Sequence, residues 1–338
     1  MITQSTDLEL VRGLVHGRWK AQTLAVTLRL GLPDLVGDEP RAAGDLADAL
    51  GVSPDGLGRL LRLLAAMGLL DHAGGERYAA TEASRMLRRD HPRSLRAEAL
   101  HVLAPWAGIA WDHLESSVRH GAPGFERTTG TTLFAHLAAH PDESAAFQDF
   151  QAIQVRRNIE ALSANHAFPS SGTVVDVGGG DGTMLRQVLA RQPGLRGVLQ
   201  DRPDAIARAR AAAAGSPVES RLTLVEGDFF DSAPPAADVY LLSHVLHDWA
   251  DADAVRILRA VGGAMRADSE LVLMENVPNG RPGLVLAYLD LLMLTSTGGR
   301  ERTLDEHRAL LAAAGLRLAS HRVAEPRTAL SILTAHRG

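Results

Sequence analysis

Three glycines and three aspartates are spaced so that one bound nucleoside can meet them all. Gly178, Gly180 and Gly182 form a G-x-G-x-G turn between Val174–Val175, which read as strand, and Met184–Arg191, which read as helix. Glycine at such a turn lets the main chain lie close against a ligand. Asp176 stands just before the first glycine, and Asp201 follows at the end of the apolar stretch GVLQ. A carboxylate at the tip of that second strand can accept hydrogen bonds from both ribose hydroxyls. Asp228, in GDFF, ends the next strand, where it can take amino hydrogens of a purine while Phe229 packs on the ring. A single strand-end aspartate is usually a loop cap. Three at the carboxyl ends of successive strands point to a ligand.

A dinucleotide fold wants a further glycine three positions after the second one, so that the helix can approach the strand while a pyrophosphate docks on its N-terminus. That position is Thr183, and the pattern suits a mononucleoside better. His247, in SHVLHDW, falls at the carboxyl end of the fourth strand, where ligands of such sheets bind, and reads as a proton-handling group.

These residues need a parallel sheet to position them. Short apolar strands (TVVDV, GVLQD, LTLVEG, DVYLL, ELVLMENV) alternate with helical stretches, which predicts a doubly wound α/β sheet from about residue 167 onward. Ahead of it, a helix from Val11 to about Leu35 ends at Gly31 and Pro33. Ala42–Leu50 and Ser53–Met67 then read as helices, and Gly74 and Gly75 divide two strand-like pieces. Ser53 is a good N-cap with Pro54 in the first turn. Helix, turn, helix and hairpin make a winged-helix pattern, which serves either DNA reading or dimerisation. The broad apolar face of Leu57, Leu60, Leu61, Leu63, Leu64 and Met67 suits burial better than a groove. A helical stretch from about Ser84 to His166 carries Trp106, Trp111, Phe147 and Phe150, which read as core or as a substrate wall. The expected domains are 1–100, 101–166 and 167–338.

Composition excludes several chemistries. There is no cysteine, hence no disulfide and no thiol nucleophile, and Lys20 is the one lysine, which removes lysine-based covalent chemistry. A net charge of −5 offers no general attraction to nucleic acid. No apolar run reaches membrane-spanning length, and the charges of the first twenty residues do not suit a signal peptide, so a cytoplasmic protein is expected. His244 and His247 lie within an apolar strand pattern without a common zinc spacing, and no metal is expected.

From about residue 10 to the end, the chain resembles the plant-type and bacterial O-methyltransferases that act on phenolic and polyketide hydroxyls, on the strength of DVGGGDG, LQDRP, EGDFFD, HVLHDW and GGRERT. The resemblance implies a winged-helix-like dimerisation domain, a Rossmann-like domain binding S-adenosyl-L-methionine, and a small hydroxylated aromatic or polyketide-like substrate held between them. It implies a homodimer with no nucleic-acid or membrane partner. Its general base falls on His247, and the acidic residues that orient this base fall on Glu275 and Glu301. Trp249 falls near the adenine, and Met293 on a position that clamps the acceptor. Ser243 stands where plant members often have a cofactor-contacting lysine, and Gln151 where a substrate-clamping methionine is often found. A winged-helix regulator, or a relative catalysing hydroxylation or cyclisation, is the alternative.

Overall fold

The computed structural model describes residues 2–280 and 282–338. The chain divides into two compact units. One holds the residues up to Gly108 with Ala145–Phe150, and the other holds Ile109–Ser144 with Gln151–Gly338.

In the first unit, helices Ile2–Val15 and Gly17–Arg29 begin earlier than the sequence pattern suggests, and Leu32–Leu35 follows the turn at Gly31. Strand β1 (Arg41–Ala42), helices Ala43–Leu50 and Pro54–Ala66, β2 (Leu70–His72) and β3 (Arg77–Ala80) form the expected winged-helix motif, with strands in the order β1-β3-β2. The Ser53 hydroxyl accepts the Gly56 N–H at 3.3 Å and so caps the second of those helices. Leu46, Leu61, Leu64 and Tyr78 are buried at the centre, each leucine contributing about 1.5–3 kcal/mol of burial. Leu63, on the same helix, faces solvent.

The second unit is built on seven strands: β4 (Gly172–Val177), β5 (Leu195–Asp201), β6 (Leu222–Glu226), β7 (Val239–Ser243), β8 (Glu270–Asn276), β9 (Leu316–Glu325) and β10 (Leu330–Arg337). Their order is β6-β5-β4-β7-β8-β10-β9. The first five are parallel, and the apolar runs VVDV, VYLL and LVLM are covered on both faces. Leu185, Val188, Leu189 and Ile206 pack on one side, and Ile257, Leu258 and Val261 on the other.

An all-parallel sheet is corrected at its end. β10 runs antiparallel to both β8 and β9, because residues 326–329 are too few for the crossover that a parallel neighbour requires. The carboxyl ends of β4, β5, β6, β7 and β8 share one edge of the sheet, and every residue singled out for cofactor or proton chemistry from Asp176 to Glu275 lies at or just beyond that edge. No helix among the described residues is long and apolar enough to cross a membrane.

Candidate active site

The glycine turn is shaped by what crowds it. Gly178 has φ +72°, and a Cβ there would stand 3.2 Å from Val245 and 3.4 Å from Phe229, so both dihedral and space demand glycine. Asp201 ties the turn to β5: its Oδ2 accepts the Gly180 N–H at 2.7 Å, and its Oδ1 accepts the Arg202 N–H at 2.7 Å. Gly182 starts the helix Thr183–Arg191, whose first N–H is capped at 2.9 Å by Asp181.

Asp176 is fully buried, and neither of its carboxylate oxygens has a hydrogen-bond partner among the described residues. Burial, and then the charges of Asp201 and Asp181, push it up to about 7. A buried acceptor lacking a donor is costly unless a ligand supplies one. Phe229 and Phe230 set their edges against Trp249, with centroids 5.7 and 4.7 Å apart, which gives an aromatic wall beside Gly178. Asp228 is exposed and its Oδ1 accepts the Phe230 N–H at 2.8 Å, so it caps the turn after β6. Ser243 is the last residue of β7 and is half-buried.

Beyond Ser243 the strand does not run on through HVLHDW, as the apolar pattern implied. His244 adopts a left-handed φ of 52° and donates its N–H to the Met274 carbonyl at 2.8 Å, and Leu246–Asp248 then form a short 3₁₀ turn. That turn presents His247, whose Nδ1 lies 3.1 Å from Glu301 Oε1. The Nδ1–H donates to this carboxylate, so Nε2 is the nitrogen that can take up or give up a proton. Nε2 is 3.8 Å from Asp248, too far for a hydrogen bond.

Glu275 does not touch the imidazole. Its Oε1 accepts the N–H groups of Val245 and Leu246 at 3.2 and 2.9 Å and so holds the turn. Burial disfavours charge on His247, but Asp248, Glu301 and Glu275 outweigh it and hold the imidazole up at about 10. Burial raises Glu275 to about 7 and Asp248 to about 6, and it lowers His244 to about 4. Burial also opposes charge on Glu301, yet His247 keeps its carboxyl below the ordinary range. His247 and Glu301 thus form an ion pair at neutral pH.

The residues that clamp this turn were not legible in the sequence, beyond the string GGRERT itself. Arg302 is 1% exposed. It donates to the Leu246 carbonyl at 2.7 Å, to the Trp249 carbonyl at 2.6 Å and to Asp251 at 2.9 Å. The Arg300 N–H reaches the His247 carbonyl at 2.8 Å, and a Cβ on Gly299 would overlap that same carbonyl. Asp290 accepts the Glu301 N–H at 2.9 Å. One short segment therefore supplies both the carboxylate partner of His247 and the bonds that fix its loop.

The four residues expected around the acceptor fall in both units. Trp106, in the first, is 1% exposed and packs edge-on to Phe147 at 6.1 Å and to His101 at 5.2 Å. In the second unit, Gln151 is exposed and Met293 is buried in helix Leu284–Ser296.

Sequence comparison matches an O-methyltransferase domain over residues 111–317 and an O-methyltransferase dimerisation domain over residues 13–90. The chain is 38% identical over 311 residues to the mitomycin biosynthesis 6-O-methyltransferase of Streptomyces lavendulae, covering 92% of this chain and 89% of that protein. Among solved structures it is similar to the mitomycin 7-O-methyltransferase, with TM-score 0.93, 36% identity and coverage of 100% and 99% of the two chains. It is also similar to an O-methyltransferase from neocarzinostatin biosynthesis solved with S-adenosylmethionine and 2-hydroxy-5-methyl naphthoic acid. That match has TM-score 0.85, 31% identity and coverage of 94% and 96%.

Proposed function

Because the chain belongs to the O-methyltransferase family and is an S-adenosylmethionine-dependent enzyme, we propose that it methylates a phenolic hydroxyl of a small aromatic or polyketide-like metabolite, without a catalytic metal and with His247 as general base. The observation that carries this reading is the His247–Glu301 pair, with Nδ1–H given to the carboxylate and Nε2 as the nitrogen that exchanges a proton.

The residues present fit the cofactor. The glycine turn, the unpartnered Asp176 carboxyl and the aromatic wall of Phe229 and Trp249 offer, in that order, close backbone approach, an acceptor for an amino group and a surface for an adenine. Asp201 keeps lone pairs for ribose hydroxyls beside its two backbone bonds. When bound, S-adenosylmethionine supplies a methyl group on a sulfonium and, with it, a positive charge.

The energetics favour a phenol. With an ordinary histidine at about 6.5 and a phenol near 10, proton transfer runs uphill by about 5 kcal/mol. The carboxylates around His247 raise its imidazolium to about 10, which brings donor and acceptor level. An aliphatic alcohol, a far weaker acid, gains no such match. The same environment holds the free protein's His247 protonated, so the base must shed that proton before it acts, and a second positive charge in the pocket favours that loss. Glu301 keeps the ring oriented throughout, as the third member of a triad does.

The test is transfer of a labelled methyl group from S-adenosylmethionine to a panel of hydroxylated naphthoates and benzoates, read by mass spectrometry. Phenolic methyl ethers are expected. Label found only on nitrogen or on aliphatic oxygen would overturn the reading.

We also propose a homodimer. Leu8, Leu10, Val11, Leu14, Val15 and Trp19 all face solvent on the first two helices, exposed apolar residues that suit a subunit interface, and the dimerisation-domain match over residues 13–90 includes Leu14, Val15 and Trp19. Light scattering at micromolar concentration should give twice the chain mass of 36.0 kDa. A single chain mass would contradict the proposal.

A further inference from the structure

The turn that carries His247 is short and holds itself weakly. Leu246–Asp248 make a single 3₁₀ turn. Two bonds close it, from the Asp248 N–H to the Val245 carbonyl at 3.3 Å and from the Trp249 N–H to the Leu246 carbonyl at 3.2 Å. Both exceed the usual N–H···O length of about 2.9 Å, as the tight 3₁₀ geometry leads one to expect. The position of the imidazole is therefore set by what grips the turn from outside.

Arg302 grips it at two points that bracket the base. Nη1 donates to the carbonyl of Leu246, the residue before His247, and Nη2 donates to the carbonyl of Trp249, two residues after it. Trp249 is also the residue whose indole meets the rings of Phe229 and Phe230. One planar guanidinium thus spans the base and the aromatic wall offered to the cofactor. Nε and Nη2 both reach Asp251 Oδ1 at 2.9 Å, and Asp251 opens helix Asp251–Ala264. The main chain behind Arg302 is anchored in turn. Thr303 and Glu306 close a capping box at the start of helix Leu304–Ala313, with Glu306 Oε2 accepting the Thr303 N–H at 2.8 Å. A buried charge costs desolvation that hydrogen bonds must offset, and all the acceptors that offset it here belong to residues 246–251.

We propose that Arg302 is a positioning residue for methyl transfer, which fixes His247 relative to the cofactor's aromatic wall and so holds the proton acceptor in register with the methyl donor. The inference rests on the reading of His247 as general base. Misplacing a reacting group by about 1 Å costs on the order of 10²-fold in rate. Lysine does not replace this residue, because a single ammonium on a flexible stem lacks the planar fork that meets two carbonyls and a carboxylate together. Arg302 acts through His247, so its contribution disappears once the imidazole is gone.

A double-mutant cycle tests this. Arg302→Lys is expected to lower kcat about 30- to 100-fold in the wild-type background and less than about threefold in the His247→Ala background. The Kd for S-adenosylmethionine, read by calorimetry, should change less than about fivefold in both. A purely structural role would give equal losses with and without the imidazole. Asp251→Asn is measured beside it: the Asp251 side chain is 60% exposed, and its variant keeps both carbonyl bonds, so it should fold. It should lose about fivefold in kcat, and again almost nothing in His247→Ala. If Arg302→Lys does not fold, the Asp251→Asn cycle decides by the same criterion. Equal losses in the two backgrounds, or wild-type kcat in Arg302→Lys, overturn the proposal while leaving His247 as the base. Wild-type kcat in His247→Ala alone overturns the general-base reading and this proposal with it.

Discussion

His247→Ala is expected to lower kcat for methyl transfer at neutral pH by about 10² to 10⁴, while the Kd for S-adenosylmethionine changes less than about threefold. The loss is expected on kcat because the proposed role of the imidazole is on the acceptor's proton, whereas the proposed cofactor cradle draws on β4, β5 and the aromatic wall. Alignment of acceptor and methyl group survives in the variant and sets the floor of the residual rate. Removing His247 also strands the Glu301 carboxylate, whose side chain is 1% exposed, without its cation, so some loss of Tm accompanies the substitution. Calorimetry with the cofactor separates the two effects: a variant that binds S-adenosylmethionine normally and transfers slowly has lost chemistry, not its fold. Wild-type kcat in the variant would remove His247 from the mechanism.

Asp201→Ala is expected to weaken S-adenosylmethionine binding by about 100-fold or more, with a smaller effect on the rate at saturating cofactor. Two losses add. The ribose hydroxyls lose a charged acceptor, and the Gly180 N–H, held at 2.7 Å by Oδ2, is released along with the turn it fixes. Asp201→Asn separates them, since the amide oxygen can still accept from Gly180 but carries no charge. It should retain part of the affinity that alanine loses. Unchanged affinity in a folded Asp201→Ala protein would contradict the assignment.

The parallel half of the sheet was readable because strands buried on both faces are continuous apolar runs closed by glycine or an acid. β9 was not, because LRLASHRVAE lies at the sheet edge with mostly exposed or half-buried residues and carries no such run. At the site, Asp176, Asp201 and the glycines were legible from local spacing. The His247–Glu301 contact joins residues 54 positions apart, and no periodicity encodes it, so only the resemblance pointed to it. Arg302 was missed because an arginine ordinarily reads as a solvated charge, whereas here three backbone and side-chain acceptors take its donors in the interior. Glu275 was expected beside the ring and instead binds the N–H groups of the turn, a difference that spacing cannot express.

The central claim is that His247, held by Glu301, takes the acceptor's proton. Its most direct test is the pH dependence of kcat for wild type and His247→Ala, run on two phenolic acceptors whose hydroxyl pKa values differ by about two units. The neutral form of a base raised in pKa is lost as pH falls, so wild-type activity should rise with pH to a midpoint set by the enzyme and similar for the two acceptors. The variant should recover to within about tenfold of wild type once pH exceeds the acceptor's own pKa, with a midpoint that moves by about two units between acceptors. Identical profiles for wild type and variant, both tracking the acceptor's pKa, would contradict the account.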